Sequence, residues 1–180
     1  MIILGGLIFG GFMYLANRED EGKTEIEVEL TEAEKLLDYD LVQEYPPTAR
    51  EVVKYYARIV KCIHSEEMTD DVITKLGDNL LQLYSNELIE LNTRDEYIQR
   101  LLTEVMEYQV LGKTVTSYAI DSADNIVTWT KDGVEFAKVY ATFTTKEDTG
   151  FNRTYEEFIL KKEANQWKIL GWRLADQKDE

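Results

Sequence analysis

The stretch VEFAKVYATFTT, residues 134–145, decides the fold of this chain. Its apolar side chains alternate with polar ones and share one face: Ala137, Val139, Ala141 and Phe143. A period of two residues is that of a β-strand. The dipeptide Asp132-Gly133 directly before it is typical of the tight turn of a hairpin. We therefore expect a long strand that is entered through a hairpin and buries one face.

Shorter stretches with the same period surround this strand. They predict further strands at Thr114–Ile120, Ile126–Thr130, Tyr155–Lys162 and Trp167–Ala175. Turn residues at 148–150 and at 164–165 separate the last three strands. Strands joined by short turns pair with their neighbours, so this half of the chain predicts an antiparallel sheet of four to five strands.

Before Gly112 the apolar residues recur with the period of a helix. Threonines followed three residues later by glutamate form capping boxes at Thr31, Thr48 and Thr93. These boxes, together with an acidic first turn after Thr69, predict helices over 31–38, 48–64, 69–83 and 93–112, with a short helical turn after Ser85. Helices followed by strands indicate an α+β domain. We expect three to four helices packed on one face of a curved antiparallel sheet.

The N-terminus differs from the rest of the chain, since residues 1–16 (MIILGGLIFGGFMYLA) carry no charge. A helix of that length spans roughly 24 Å, against roughly 30 Å for the hydrocarbon core of a bilayer. We interpret residues 1–16 as an uncleaved transmembrane anchor that binds the protein to the lipid bilayer. Because no basic residue precedes the apolar run, we also expect the natural start to lie upstream.

The anchor predicts a single-pass protein of the cell membrane. The acidic flank that follows it, with the expected basic leader, orients the soluble part to the extracytoplasmic side. Gly6 and Gly10 have the spacing that lets two membrane helices approach closely, which makes a homodimer one expectation. The alternative is that glycine is simply frequent in membrane helices.

Acidic residues are distributed unevenly over the remainder of the chain. Residues 17–45 hold eleven acidic and three basic residues, which is over half of the formal net charge of −15. We interpret them as an acidic stalk with a short helix, followed by the α+β domain at 46–180. Such a segment repels nucleic acid, which we exclude as a partner. One cysteine and one histidine exclude an internal disulfide and a histidine-rich metal site, and we expect no metal and no cofactor.

A basic ridge on the second predicted helix provides the candidate binding residues. It consists of Arg50, Lys54, Arg58 and Lys61, at spacings of four, four and three residues. It could contact an anionic lipid, a wall polymer or an acidic protein surface. The favoured interpretation is a solvated face that acidic neighbours neutralise.

Two further groups of residues are candidates for a functional site. Cys62 and His64 are two residues apart on a helix and therefore point to different sides, so we predict a packing thiol and a helix C-terminal imidazole rather than a catalytic pair. The strands carry many aromatic residues, which either line a pocket or fill the core. They are Tyr118, Trp129, Phe136, Tyr140, Tyr155, Phe158, Trp167 and Trp172.

The last predicted strand carries a family resemblance. Residues 165–172 (NQWKILGW) look like the closing strand of nuclear transport factor 2-like domains, also called cystatin-like. The segments 45–53 (YPPTAREVV) and 155–158 (YEEF) resemble a group of membrane-anchored bacterial proteins of unknown function with such a domain. The resemblance covers roughly residues 45–176 and implies a cone, a curved sheet wrapped on helices.

This fold hosts enzymes, binding modules and assembly subunits alike. The resemblance implies that the enzymes of the family use an Asp, or an Asp/His pair, as a catalytic base. No motif in this sequence identifies such a base. We therefore predict no catalytic residue and no enzyme. The expected function is a membrane-tethered interaction or assembly module of the cell envelope, with an unidentified protein partner.

Two alternatives remain open at this point. One is a domain that binds a small ligand or an envelope polymer in the cavity of the cone. The other, ranked last, is a lyase or isomerase of the same fold. A packed interior favours the interaction module, whereas a cavity of about 300 Å³ or more favours ligand binding. An enzyme also needs an ionisable group of shifted pKa inside that cavity.

Overall fold

The structure, a computed structural model, describes residues 29–176. Within this range five α-helices precede five β-strands, which confirms the predicted α+β order. The helices are α1 (Glu32–Asp38), α2 (Ala49–Ile63), α3 (Asp70–Leu83), α4 (Asn86–Glu90) and α5 (Arg94–Val110). The strands are β1 (Thr114–Ile120), β2 (Val127–Lys131), β3 (Val134–Glu147), β4 (Gly150–Glu163) and β5 (Gln166–Ala175).

Side-chain caps begin all five helices. Thr31, Thr48, Thr69, Ser85 and Thr93 each accept a hydrogen bond from a backbone N–H in the first turn. The full reciprocal box forms at Thr31 and Thr93. At Thr48 only half of the predicted box forms, because the carboxylate of Glu51 lies against Arg50 and Lys54 instead.

Strand β3 is the centre of the antiparallel sheet. It pairs with β4 on one edge, and with β1 and β2 end to end on the other, while β5 lies outside β4. Asp132 and Gly133 turn β2 into β3 with φ angles of 52° and 78°, the left-handed conformation of a tight hairpin. Strand β4 is longer than predicted. It begins at Gly150 because β3 extends far enough for Asn152 to pair with Thr145.

One face of the sheet is covered by helices. Helix α2 packs across β1, β3 and β5, and α3 packs on α2 and α5. The alternating residues of β3 predicted to face inward are buried, and Phe158 of β4 lies opposite Val139 with no exposed surface. Gly77 lets α3 and α5 approach closely, since a Cβ there would lie 2.6 Å from Ile98 Cδ1.

The part of the predicted stalk that the structure describes packs on the domain. Leu36 and Leu41 are buried in the main core, and the Tyr55 hydroxyl donates a hydrogen bond to the Leu36 carbonyl at 3.1 Å. The cause is the amphipathic pattern of α1, whose apolar side faces α2 and α3.

The predicted anchor at residues 1–16 and the stalk up to residue 28 lie outside the described residues. Across residues 29–176, the structure contains no helix that is both long and apolar enough to span a bilayer.

Candidate ligand cavity

A cavity of about 460 Å³, partly open to solvent, lies between the inner face of the sheet and helices α2, α3 and α5. Its lining is rich in aromatic rings, which are those of Tyr56, Tyr84, Tyr97, Tyr108, Phe143 and Trp172. Of the strand aromatics that the sequence suggested for a pocket, Trp172 is the one in this lining. The other rings come mainly from the helices, because the helical side chains project across the gap to the sheet.

Three of the tyrosines form a cluster at one end of the cavity. The hydroxyls of Tyr84 and Tyr97 lie 3.1 Å apart, and the ring of Tyr84 packs edge-on against that of Tyr97 at 5.7 Å. Tyr56 packs against Trp172 at 5.5 Å. Burial raises the pKa of Tyr97 to about 12 and holds the pKa values of Tyr56 and Tyr84 well above their usual range. All three are therefore neutral phenols that can both donate and accept hydrogen bonds.

His64 caps α2 and lies against the cavity. Its side chain is 3% exposed, and its ring packs on that of Tyr108 with centroids 4.4 Å apart. Nδ1 lies 2.9 Å from the Val60 carbonyl, while Nε2 lies 3.3 Å from Glu104 Oε1. Among the described residues, Nε2 has no partner with hydrogen-bond alignment. The imidazole therefore presents an unsatisfied nitrogen beside a carboxylate.

Glu156 is the carboxyl group that the sheet itself supplies to the cavity. It lies on β4 opposite Ala141, on the face that the helices cover. Burial, followed by the charge of Glu104, raises the pKa of Glu156 to about 7. No hydrogen bond from another described residue contributes to this pKa, which burial and the Glu104 charge alone displace.

Sequence reasoning missed Glu156 and Glu104 as site residues. The signal for Glu156 was available, because Phe158 is a core residue and the period of a strand places Glu156 on the same face. No comparable signal marks Glu104, which faces the cavity only because α5 packs beside α3. Cys62, which lies two residues before His64, is buried. This burial raises the pKa of its thiol to about 12, so the thiol stays protonated.

The basic ridge lies elsewhere, on the side of α2 toward α1 and the β1–β2 connection. Arg58 forms a two-pronged ion pair with Glu32, and Lys54 lies 3.5 Å from Glu51. Arg50 donates to the Asp121 carbonyl at 2.8 Å and contacts Glu51 at 3.1 Å. These contacts favour the interpretation of a neutralised face, and binding at the ridge, including at Lys61, stays a prediction.

Two positive side chains border the cavity on its solvent side. Lys113 pairs with Glu147 at 3.1 Å. Arg100 is exposed, and also borders a surface groove that it shares with Glu96 and Glu107. The lining thus combines aromatic rings with both acidic and basic side chains, and among the charged ones Glu104 and Arg100 are exposed to solvent.

Comparison with known proteins identifies the family but no activity. A family profile described as domain of unknown function (DUF6715) matches residues 1–172, so the chain belongs to that family. No curated protein matches the chain. A crystal structure of the intermembrane space region of the chloroplast protein ARC6 is similar at 12% identity and a TM-score of 0.38, over 74% of this chain and 98% of that one. A likeness this weak supports no conclusion about this protein.

Proposed function

We propose that this member of the DUF6715 family is a ligand-binding domain that holds a small molecule between its helices and its sheet. The observation that carries the proposal is the cavity of about 460 Å³, which is within the usual range for small-molecule sites. An interaction module needs only a packed interior, and an open interior costs stability. A cavity that is retained despite this cost favours ligand binding over the interaction module expected from the sequence.

The chemistry of the lining supports the same choice. Ligand sites are mostly apolar or aromatic with a few convergent polar groups. Here the aromatic rings form the walls, and His64, Glu104 and Glu156 line the same cavity. Nε2 of the buried His64 has no hydrogen-bond partner among the described residues, so a ligand would supply one.

The proposal is tested by blocking the cavity. The Thr154 side chain lines it, whereas Thr142 lies on the neighbouring strand with its side chain on the opposite face. We expect small aromatic compounds to bind the full chain in ligand-observed NMR, and Thr154→Trp to abolish this signal. Thr142→Trp is the matched control and should bind like the wild type. Equal binding by both variants, or no binding by the wild type, would refute the proposal.

The second candidate is a lyase or isomerase, which the state of Glu156 specifically favours. A buried carboxyl group with a pKa of about 7 can take up and release a proton at neutral pH. For any compound bound by the full chain, incubation in D₂O should introduce deuterium at an acidic C–H in the wild type and not in Glu156→Gln. A bound compound that exchanges equally in both would exclude this role for Glu156.

We further propose the membrane tether predicted from residues 1–16, with the domain on the extracytoplasmic side. The support is the uncharged sequence itself. Replacing Leu7 and Ile8 with Asp should move the protein from the membrane to the soluble fraction, because a charge within the bilayer costs a few kcal/mol. Continued recovery with membranes would place the attachment elsewhere.

A further inference from the structure

We infer that the ligand of this cavity is an organic cation, a protonated amine on an apolar body. This inference rests on the proposed ligand-binding function and adds the chemical class of the ligand. It follows from the carboxyl groups and the imidazole of the lining, from the aromatic walls, and from the pairing and exposure of the positive side chains.

The lining contains two carboxyl groups close to an imidazole. Glu104 is exposed, and its Oε1 lies 3.3 Å from Nε2 of the buried His64, a nitrogen that has no aligned hydrogen-bond partner among the described residues. Glu156, the second carboxyl group, is less exposed than Glu104 and lines the same cavity. An ammonium group on the ligand would donate hydrogens to this set and neutralise its negative charge.

The walls suit the same ligand. A cation over the face of a Trp or Tyr ring is attracted by the negative charge of that face. Tyr56, Tyr97, Tyr108 and Trp172 line the same cavity as Glu104 and Glu156 and can supply such faces. The rings would also bury the apolar body of the ligand, so one compact site serves both of its ends.

The positive side chains of the lining do not reverse this preference. Lys113 is neutralised by Glu147 at 3.1 Å, and Arg100 is exposed to solvent one helical turn after Glu96. Their charges are therefore offset or screened. The protein as a whole has a net charge of −15, which attracts cations and repels anions at long range.

The test compares three probes of similar size, namely 2-phenylethylammonium, 2-phenylethanol and phenylacetate, titrated into the full chain at about pH 8 by NMR. We expect the cation to bind roughly tenfold more tightly than the alcohol, and phenylacetate to bind least. Glu104→Gln and Glu156→Gln should each reduce this preference several-fold. Glu157→Gln, the neighbouring carboxylate on the other face, should leave it unchanged.

A second measurement keeps the inference testable if a variant fails to fold. In the wild type, the affinity for the cation should rise between about pH 6 and pH 8, while the affinity for the alcohol stays constant. The groups that face Glu156 are Glu104 and Tyr108 of α5, Tyr56 of α2 and His64. Because 2-phenylethanol carries no charge, a change in its affinity with pH would report a change in the cavity that these groups cause.

The outcomes separate the two proposals. If phenylacetate binds most tightly, or if the alcohol and the cation bind equally, the inference that the ligand is an organic cation is overturned. The proposed ligand-binding function is not affected by either result. Binding of the cation that Thr154→Trp does not block would place it outside the cavity and overturn the inference. Binding of none of the three probes would count against both proposals.

Discussion

Glu156 and Glu157 are neighbours in β4, and they lie on opposite faces of the same sheet. On the outer face, Glu157 accepts hydrogen bonds from the Tyr140 hydroxyl at 2.5 Å and from Arg173 Nε at 3.0 Å, with Lys138 at 3.7 Å. The hydrogen bond from Tyr140, together with the Arg173 and Lys138 charges, lowers the pKa of Glu157. On the inner face, burial and a second carboxylate raise the pKa of Glu156 to about 7.

The difference separates a structural carboxylate from one that the fold leaves unsatisfied. Glu157 is stabilised by its partners and needs nothing else. Glu156 is a cost to the folded state, and perturbed groups of this kind cluster at functional sites. The inner face is therefore where function is expected, and the outer face is where the sheet is held together by polar contacts.

The largest expected contrast between the two faces is in packing. Phe158 is fully buried beside Glu156, whereas Ile159 lies partly exposed beside Glu157. Phe158→Ala should lower the free energy of unfolding by about 3–5 kcal/mol because it leaves a cavity in the core. Ile159→Ala should cost only about 1 kcal/mol. Urea denaturation of both variants measures the contrast, and equal losses would contradict the assignment of the inner face.

The pH dependence of stability tests Glu156 directly. Its pKa is higher in the folded state than in the unfolded state, where the ordinary value of 4.5 applies. Its protonation therefore favours the folded state below that ordinary value, and this stabilisation is lost as the pH rises through about 7. Glu156→Gln should remove a loss of up to roughly 3 kcal/mol between about pH 5 and pH 8. If the free energy of unfolding of the variant and of the wild type changed with pH in parallel, the raised pKa of Glu156 would be contradicted.

Glu157→Gln should have the opposite sign. Because the folded protein lowers the pKa of Glu157, its stabilisation is present above the ordinary value of 4.5 and lost as the pH falls through the lower folded value. The variant should lose about 1–2 kcal/mol at neutral pH, since hydrogen bonds to a charged group are removed. The loss should fade in acid. Denaturation curves at neutral and acidic pH measure it, and a pH-independent loss would indicate packing instead.

The smallest effect is expected at the tyrosine cluster. Tyr97→Phe removes one hydroxyl from the pair with Tyr84 and should cost about 1 kcal/mol or less, because Tyr84 still reaches the cavity. It should also weaken binding of 2-phenylethylammonium less than Glu156→Gln does. Thermal denaturation and the same NMR titration measure the two effects, and a larger effect at Tyr97 would make the phenols, rather than the carboxyl groups, the main ligand contact.

Most of the fold was predictable, because its signals are local. Thr31 and Thr93 cap helices as their capping boxes indicate, and Asp132-Gly133 turns β2 into β3. The start of β4 was missed because Asn152 and Arg153 have low strand propensity and pair only because β3 continues opposite them. The burial of Leu36 was missed for a related reason, since it depends on a contact with a helix that is distant in the sequence.

By itself, the sequence determined the order of the elements, the face that β3 buries and the acidity of the chain. These depend on residue spacing and composition, which do not change when the chain folds. Only the tertiary structure decided that Glu104, Glu156 and His64 line one cavity. They come from three different elements, and the pKa of Glu156 is set by desolvation and by its distance from Glu104, which exist only after α5 has packed beside the sheet.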